Sequence, residues 1–484
     1  MARTKTRTFK KFPATFWVAN TMELFERWAW YGIFVVIALY LTGSSDTGAL
    51  GFSQTQKGMI MGIVSAILYF LPVITGAFAD RWGYKRSLII AYIILTSGYL
   101  SLGFFSSFYS MFFAFLYVGI GAALFKPIIA ATVSKTTTSK TSSVGFGIYY
   151  MTVNIGGFIG PLVAAKLRLI SWNYVFIMSA VIIMVNLMLV IFFFKEPKRI
   201  PSDDSLLYSL KKIFINIGKV LKDYKFAIFL LIIIGFWTIF WQLYYTLPNF
   251  IEQWVNTRSI YDALHAVSPG LANFFGTENK TIPPELIINL DALFIIIFQL
   301  LVSSFVARFK PVNSIAGGFL VLTIGISLTF FTANGLFVIL GIFIFSLGEM
   351  ASSPKITEYI GKIAPRDETA LYMGTSFLPV AGGNFIAGFL SGPVFERMSD
   401  KFTLLQRELA DKNILLDEGV KSLSKNDFFT WSSEKLGLTP GELTQYLWNT
   451  YHPQKIWILY ATIGLITGFL LIFYNKFWSP AKHQ

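Results

Sequence analysis

Twelve apolar runs constrain the fold of this chain more than any other feature. A helix needs roughly 20 apolar residues to cross a bilayer core of about 30 Å. Runs of that kind, named spans 1 to 12, lie at 15–42, 55–79, 86–106, 109–134, 144–167, 173–194, 225–250, 286–308, 313–333, 335–362, 369–395 and 455–477. Since 54% of all residues are hydrophobic and 14% are charged, the sequence predicts an all-α integral membrane protein with 12 transmembrane helices, six plus six.

The sequence between the spans predicts three regions. Six spans fill 1–194, six more fill 225–484, and a basic connector at 195–224 joins them. In the connector, apolar residues recur at helical spacing, namely Leu206, Leu210, Ile213, Ile217 and Leu221. This pattern predicts an amphipathic helix on the membrane surface, with a calmodulin-target-like helix as the alternative. The long segments 251–285 and 396–454 are expected outside the cell, the second as a small helical extension.

Basic residues in the short loops predict how the chain crosses the membrane. Those near the ends of spans 2, 4, 8 and 10 fall on the side of the basic N-terminus. They are Arg81, Lys85, Arg86, Lys135, Lys140, Arg308, Lys310, Lys355, Lys362 and Arg366. The positive-inside rule therefore predicts a multi-pass protein of the cell (plasma or inner) membrane with both termini cytoplasmic. The same rule explains the net charge of +14, so the bilayer is the expected partner and nucleic acid is not.

Several kinds of chemistry are excluded by composition. The chain has no cysteine, and its three histidines (His265, His452 and His483) lie outside the apolar runs. Disulfides, thiolate metal sites and an intramembrane histidine relay are therefore excluded. The sequence also contains no nucleophile–base pair, metal constellation or phosphate-binding loop, so we expect neither an enzyme nor a metal protein.

Charged residues inside span 1 predict a functional cavity. Glu23, Glu26 and Arg27 share one helical face, and Tyr31 and Phe34 continue it. A charge at bilayer depth costs about 2.5–3.5 kcal/mol on insertion scales, so such groups face a partner or water. Two interpretations stay open: the three residues form a structural triad that locks the helix, or they couple to proton movement.

Two further charges lie in opposite halves of the chain. Lys126 follows an apolar stretch in span 4, and Glu349 lies in span 10. Each would be costly alone in hydrocarbon, so both are predicted to face a central cavity. The alternative for Lys126 is a lysine that snorkels to the interface.

The loop after span 2 carries a recognisable motif. It reads Gly76-Ala-Phe-Ala-Asp80-Arg81-Trp-Gly83-Tyr-Lys85-Arg86. The glycines allow close helix approach, and the charges can latch two helical bundles together in one state and release them in another. The motif resembles the signature loop of the major facilitator superfamily, which implies that superfamily's fold of two six-helix bundles.

Four further stretches together resemble the proton-dependent oligopeptide transporter family. They are Glu23-x-x-Glu26-Arg27 with Tyr31-Gly32, Phe125-Lys126-Pro127, the span 5 run from Phe146 through Tyr149, Tyr150 and Asn154 to Pro161, and Glu349-Met-x-x-Ser353-Pro354 with Met373-Gly374 and Gly383-Asn384. The resemblance implies symport of di- or tripeptides driven by a proton gradient, with no other cofactor.

The same resemblance implies roles for single residues. A peptide carboxylate would lie near Lys126 and its amino end near Asn154 and Glu349, with Tyr31 and Tyr69 lining the pocket. When the substrate draws Lys126 away, Glu23 or Glu26 could accept a proton.

Three positions depart from the family pattern. Phe34 stands where the family has an arginine, and Trp241 where it has a glutamate, unless the register shifts and Gln242 takes that place. Loss of both charges is physically consistent, and it predicts an aromatic Phe34–Trp241 contact in place of a salt-bridge gate. Asp291 in span 8 either replaces a cavity asparagine as a further titratable carboxylate, or lies at the interface near Glu285.

These departures leave two alternatives to peptide symport. The same fold could carry a non-peptide organic solute or amphiphile. It could also be a receptor-like scaffold that signals through 396–454 and transports nothing. The sequence assigns no protein partner to that segment.

Overall fold

The computed structural model describes residues 12–138, 141–197, 206–365 and 367–478. The basic residues at 1–11, Lys140, Arg366, Lys482, His483 and positions 198–205 of the predicted connector lie outside these ranges. Within the ranges, the chain is helical and forms no named strand, only one isolated bridge between Asn256 and Asn334. The predicted all-α membrane fold is therefore confirmed.

Each predicted span corresponds to a helix or a run of helices. Nine in the described ranges are long and apolar enough to cross a membrane: Ala14–Thr42, Phe108–Lys135, Val144–Arg168, Trp172–Phe192, Tyr224–Trp254, Pro284–Val306, Gly335–Ile363, Leu371–Asp411 and Pro453–Phe477. A tenth is the bent pair Gln54–Phe70 and Pro72–Trp82. Tyr84–Leu102 and the shorter Pro311–Ser327 complete spans 3 and 9.

Five spans in the described ranges are interrupted where the sequence reads as one apolar run. Span 8 breaks at Asn289, between Pro284–Ile288 and Leu290–Val306. Span 1 consists of Ala14–Phe34 and Ile37–Thr42. Span 2 bends by 46° at its break before Pro72. Proline lacks an N–H and its ring clashes with the preceding turn, so a break is expected there. Irregular backbone at membrane depth must find other hydrogen-bond partners, and it marks sites of interest.

Spans 7 and 11 are interrupted as well, and both contain proline. Span 7 comprises Tyr224–Phe240, Gln242–Tyr245 and Leu247–Trp254, with Pro248 in the third helix. In span 11, helices Thr369–Thr375 and Phe377–Phe389 lead into a π-helical turn at Leu390–Val394 and a last turn at Phe395–Met398. Gly392 has non-helical angles there (φ −93°, ψ −107°), directly before Pro393. Periodicity alone does not reveal these breaks.

The segments between spans add shorter helices. The connector contains Leu206–Leu221, whose Phe214 ring lies 6.4 Å from that of Phe70. Residues 251–285 include Arg258–Val267 and Pro269–Phe275. Residues 396–454 include Lys401–Asp411, Glu418–Lys421, Lys425–Leu436 and Pro440–Tyr451. The Thr439/Glu442 capping box that the sequence indicates is present at the last of these.

Contacts divide the chain into two compact units. Unit 1 consists of Met1–Phe34, Val64–Ala227 and Ala370–Ala381. Unit 2 consists of Val35–Ile63, Ile228–Thr369 and Gly382–Gln484. Residues 35–63, which precede most of the first half in sequence, thus pack with helices of the second half. The predicted regions 1–194, 195–224 and 225–484 follow sequence order and stay a prediction.

Candidate functional site

In unit 1, glycines of span 5 bring it against span 1. A Cβ on Gly156 would lie 2.3 Å from the Leu24 carbonyl oxygen, and one on Gly160 would lie 2.4 Å from that of Trp28. Real Cβ contacts are never that short, so only glycine permits this backbone-to-backbone packing. The packing places span 5 beside the charged face of span 1.

That face holds three buried ionisable side chains. Glu23, Glu26 and Arg27 are 3%, 0% and 5% exposed. Arg27 Nε lies 2.5 Å from Glu26 Oε2 and 3.4 Å from Glu23 Oε1. The Arg27 guanidinium carbon also lies 5.9 Å from the centre of the Tyr31 ring. One arginine thus neutralises one carboxylate directly and leaves the second to be balanced by another group.

Lys126 supplies the second cation. It interacts electrostatically with Glu23, Glu26 and Arg27, and the four residues, here named the ion cluster, combine two carboxylates with two cations. No carboxylate in the described part of the chain is in ion-pair contact with Lys126 Nζ. Instead Nζ lies 4.3 Å from the centre of the Tyr69 ring, a cation–π contact. The lysine is therefore held near the acids but remains available to an anion.

A proline follows Lys126 inside its helix, and the break of span 2 follows Tyr69. Pro127 has no N–H to donate to the Ala123 carbonyl one turn earlier. The hydroxyl of Thr75, just after the bend of span 2, donates to that carbonyl oxygen at 2.7 Å. Thr75 therefore supplies the hydrogen bond that the Ala123 carbonyl would otherwise receive from the residue at position 127.

Tyr149 completes the cluster and was missing from the predicted site. Its side chain interacts electrostatically with Glu23, Glu26 and Arg27. The sequence does offer a signal, because Tyr149 belongs to the quoted span 5 motif. Periodicity could not show that it would reach span 1. Asn154, five residues on, donates its side-chain amide to the Tyr150 carbonyl of its own helix at 2.8 Å.

The signature loop is anchored within unit 1. Gly83 adopts φ +99°, a left-handed conformation that favours glycine. The Tyr84 hydroxyl lies 3.2 Å from an Asp80 carboxylate oxygen and accepts from Lys135 Nζ at 3.0 Å. The Tyr84 N–H donates to Glu196 at 2.8 Å. Asp80 therefore belongs to a polar network that joins the ends of spans 2, 4 and 6.

The other loop residues surround this network. A Cβ on Gly76 would first meet Pro127, at 4.0 Å, so this glycine faces span 4 without crowding. Arg81 and Arg86 are exposed. Their gating role stays a prediction.

In unit 2, Asp291 and Glu349 form a carboxyl pair. Asp291 is 2% exposed and accepts hydrogen bonds from Ser346 and, at 3.5 Å, from the Tyr244 hydroxyl. The Glu349 carboxyl group lies beside that of Asp291. Two neighbouring buried carboxylates repel each other, and a proton shared between them would relieve that repulsion. Asp291 is buried inside the protein, and its depth in the membrane stays a prediction.

The aromatic positions are buried, each in its own unit. Phe34 is 2% exposed and stacks on Trp30, with ring centres 5.3 Å apart. Trp241 is 4% exposed and lies 5.8 Å from Tyr244, counted between ring centres. Gln242 is bonded inside its own helical run, through Thr238 and Thr246. The proposed contact between Phe34 and Trp241 stays a prediction.

Unit 2 contains a buried cation that the sequence analysis did not identify. Lys57, at the start of span 2, is 0% exposed and donates to the Tyr245 carbonyl at 2.9 Å. Nearby, Gln54 donates to Asp400 at 3.0 Å and the Thr55 N–H to Glu396 at 2.6 Å. These bonds fasten residues 35–63 to the end of span 11. Lys57 was missed because it stands at the edge of an apolar run, where a lysine usually reaches water.

Segment 396–454 also binds the loop between spans 1 and 2. Lys425 Nζ donates to the Thr42 and Phe52 carbonyls at 2.7 and 3.0 Å, and the Asn426 amide donates to Asp46 at 2.8 Å. Burial lowers the pKa of Lys425, against the attraction of Asp400 and Glu396. The extension is therefore docked on unit 2 and does not hang free.

No group of three or more potential metal ligands occurs among the residues that the structure describes. The charged groups instead offer binding of an anion at Lys126, binding of a cation at the carboxyl pair, and proton exchange.

Comparison with known proteins identifies the family. The sequence model of the Major Facilitator Superfamily matches residues 21–388, about three quarters of the chain. The chain therefore belongs to the major facilitator superfamily, a superfamily of transporters and not of enzymes.

Curated relatives refine the assignment. Over 192 residues the chain is 29% identical to the peptide transporter YePEPT of Yersinia enterocolitica, a match covering 38% of this chain and 37% of that protein. Over 450 residues it is 24% identical to dipeptide and tripeptide permease A of Citrobacter koseri, covering 82% and 87%.

A solved structure agrees in fold. A mutant of the peptide transporter POT in complex with alafosfalin matches with a TM-score of 0.69 and 17% identity, covering 96% of this chain and 95% of that one. The predicted resemblance to the proton-dependent oligopeptide transporter family is confirmed.

Proposed function

We propose that this protein is a proton-coupled symporter that moves di- and tripeptides, or related peptide-like solutes, by alternating access. The observation that carries the proposal is the ion cluster: two carboxylates, an arginine and a half-buried lysine inside membrane spans. Such groups are costly unless they serve a pathway. The names of the relatives, a peptide transporter and a di- and tripeptide permease, support the cargo.

The ion cluster is suited to exchange a proton for an anion. With Lys126 near the acids, all four groups can stay charged. A substrate carboxylate that binds Lys126 removes one balancing cation, and Glu23 or Glu26 then gains by taking up a proton. Arg27 stays bound to Glu26 and keeps the second acid ionised. The Tyr149 side chain lies beside Glu23, where its hydroxyl can donate to that carboxyl in either state.

The carboxyl pair is suited to bind a primary amine. An ammonium group can replace the shared proton, since it offers three donors and a positive charge. An amine therefore suits the carboxyl pair, as a carboxylate suits Lys126.

Uptake into proteoliposomes tests this function. A labelled dipeptide should accumulate when the outside is acidic, and a protonophore should abolish the accumulation. Uptake that ignores the gradient would rule out coupling while leaving facilitated peptide transport. If no peptide enters or exchanges, the proposal that peptides are the substrate is wrong.

We further propose a location in the plasma or inner membrane with cytoplasmic termini and no cofactor other than the proton gradient. Since the chain has no cysteine, a single Gln445→Cys variant allows labelling without background. Its exposed site in segment 396–454 should react with an impermeant maleimide added to intact cells. Labelling only after permeabilisation would reverse the proposed topology.

The second candidate keeps the fold and changes the cargo to a non-peptide organic solute or amphiphile. It is favoured by the buried aromatic residues Phe34 and Trp241, where the family carries charges. A screen in which amphiphiles, but no peptide, raise the melting temperature would favour it. If no solute is transported, the receptor-like scaffold remains.

A further inference from the structure

Unit 2 contains an apolar groove between spans 8 and 9, with span 10 as its floor. Its volume is about 630 Å³, and Phe298, Leu301, Phe305, Phe309, Gly317 and Ala351 are among its lining residues. Leu301 and Phe305 are 67% and 56% exposed. On a membrane helix such side chains face lipid, so the groove is a concave surface toward the bilayer.

Two adjacent glycines shape the groove. A Cβ on Gly318 would lie 2.8 Å from the Gly348 carbonyl oxygen, so Gly318 is required for close packing of spans 9 and 10. A Cβ on Gly317 would meet nothing within 4 Å. The second glycine is therefore not needed for packing, and it leaves space that a side chain would fill.

The polar residues of the groove lie at one end and are already bonded. Ser314 donates to the Val306 carbonyl at 3.4 Å, and Asn313 accepts from Asn475. A bound ligand would therefore contact apolar side chains along the groove and would form few hydrogen bonds inside it. That environment fits an acyl chain.

Two cations stand at the same end. The Arg308 guanidinium lies 4.8 Å from the ring centre of Phe305, a lining residue, and Lys310 follows two residues later. Both are exposed, and neither forms an ion pair in the described part of the chain. No aspartate or glutamate occurs from 292 to 348, the stretch that supplies every lining residue of the groove except Ala351. The positive charge at the groove end is therefore uncompensated by the protein nearby.

We propose that this groove binds an anionic phospholipid, with an acyl chain along spans 8 and 9 and the phosphate on Arg308 and Lys310. Basic sites at the ends of membrane helices recognise such headgroups, at about 1 kcal/mol for each cation near the surface. A second copy of this chain fits less well, because a two-fold contact there would bring the cations of both copies together without an acid.

Lipid retention tests the site. The full chain is reconstituted in nanodiscs of equimolar phosphatidylcholine and phosphatidylglycerol, and retained lipid is counted by native mass spectrometry. Two cations predict a preference for phosphatidylglycerol of about thirtyfold. Arg308→Gln/Lys310→Gln should reduce it to near parity, and either single change should reduce it about fivefold.

Filling the groove provides an independent variant. Gly317→Leu should remove the retained lipid without a steric clash. Gly361→Leu is the matched control, since Gly361 is also a helix glycine with open space but does not line the groove. Retention that survives Gly317→Leu would overturn the groove as the site. A change from dimer to monomer in Gly317→Leu, with lipid unchanged, would make this face a protein interface and overturn the proposal as well.

Discussion

The ion cluster of unit 1 and the carboxyl pair of unit 2 both hold acids inside membrane spans. They differ in how the negative charge of those acids is balanced. In the cluster, the charges of Glu23 and Glu26 are balanced by those of Arg27 and Lys126, which are fixed cations of the protein. In the pair, Asp291 accepts from two hydroxyl groups and lies beside Glu349, and no cation of the described chain is in ion-pair contact with either acid.

This difference separates two roles. A site balanced by fixed cations stays neutral without protons, and it changes protonation only when a substrate removes a cation. A site balanced by a proton must keep it or exchange it for another cation. The cluster therefore responds to the anionic end of a substrate, and the pair responds to its amine. Each variant below tests one side of this comparison.

Lys126→Ala should have the largest effect. It removes the cluster's anion-binding group and leaves one acid without its counter-charge, at a cost of about 3 kcal/mol, or roughly 100-fold in proton-driven uptake. Lys166→Ala, a lysine change in span 5 outside the cluster, should leave uptake near wild type. Equal uptake in both variants would remove the cluster from the mechanism.

Gly156→Ala should break the cluster through packing. Its methyl group collides with the Leu24 carbonyl and forces spans 1 and 5 apart, which we expect to cost about 1–3 kcal/mol of stability. Gly147→Ala lies on the same helix in open space and should be neutral. Thermal unfolding in detergent compares the two. A Gly156→Ala protein as stable as Gly147→Ala would contradict the close approach of the two helices.

Asp291→Asn should uncouple the carboxyl pair. The amide can donate to Glu349, so the pair no longer needs a proton. Under a gradient of about one pH unit, one coupled proton concentrates a dipeptide about tenfold, and the variant should lose this accumulation. Exchange across the membrane without a gradient should persist. Glu358→Gln, in the same helix as Glu349, is the control. Full accumulation by Asp291→Asn would leave the cluster as the only coupling site.

Thr75→Val should have the smallest effect. It removes the donor that replaces the missing N–H of Pro127, leaving the Ala123 carbonyl without that bond, for about 1 kcal/mol. Thr132→Val is the control, since its hydroxyl bonds within its own helix, to Ile128 at 2.7 Å. The melting temperature should fall more for Thr75→Val than for Thr132→Val. The reverse order would mean that the freed carbonyl needs no donor.

Features that depend on local pattern could be predicted from the sequence. The twelve spans follow from run length and hydropathy. The grouping of Glu23, Glu26 and Arg27 follows from helical spacing. The capping box at Thr439 follows from a residue type at a fixed offset. Each of these depends on neighbours within about one turn of helix, where periodicity carries the information.

Features that depend on contacts between distant residues could not be predicted. Nothing local indicates that Thr75 would satisfy the carbonyl freed by Pro127, or that Asp291 would lie beside Glu349. From its place at the edge of an apolar run, Lys57 is expected at the membrane interface. It is wholly buried instead, because residues 35–63 pack into unit 2. The breaks in spans 7 and 11 depend on how each proline is accommodated by its surroundings.

Proton movement itself tests the central claim most directly. A pH-sensitive dye trapped inside proteoliposomes reports protons that enter when a dipeptide is added outside, with no gradient imposed. The account predicts internal acidification with wild-type protein and with Lys166→Ala, and none with Lys126→Ala. Peptide entry by the wild type without acidification, measured on the same vesicles, would contradict it.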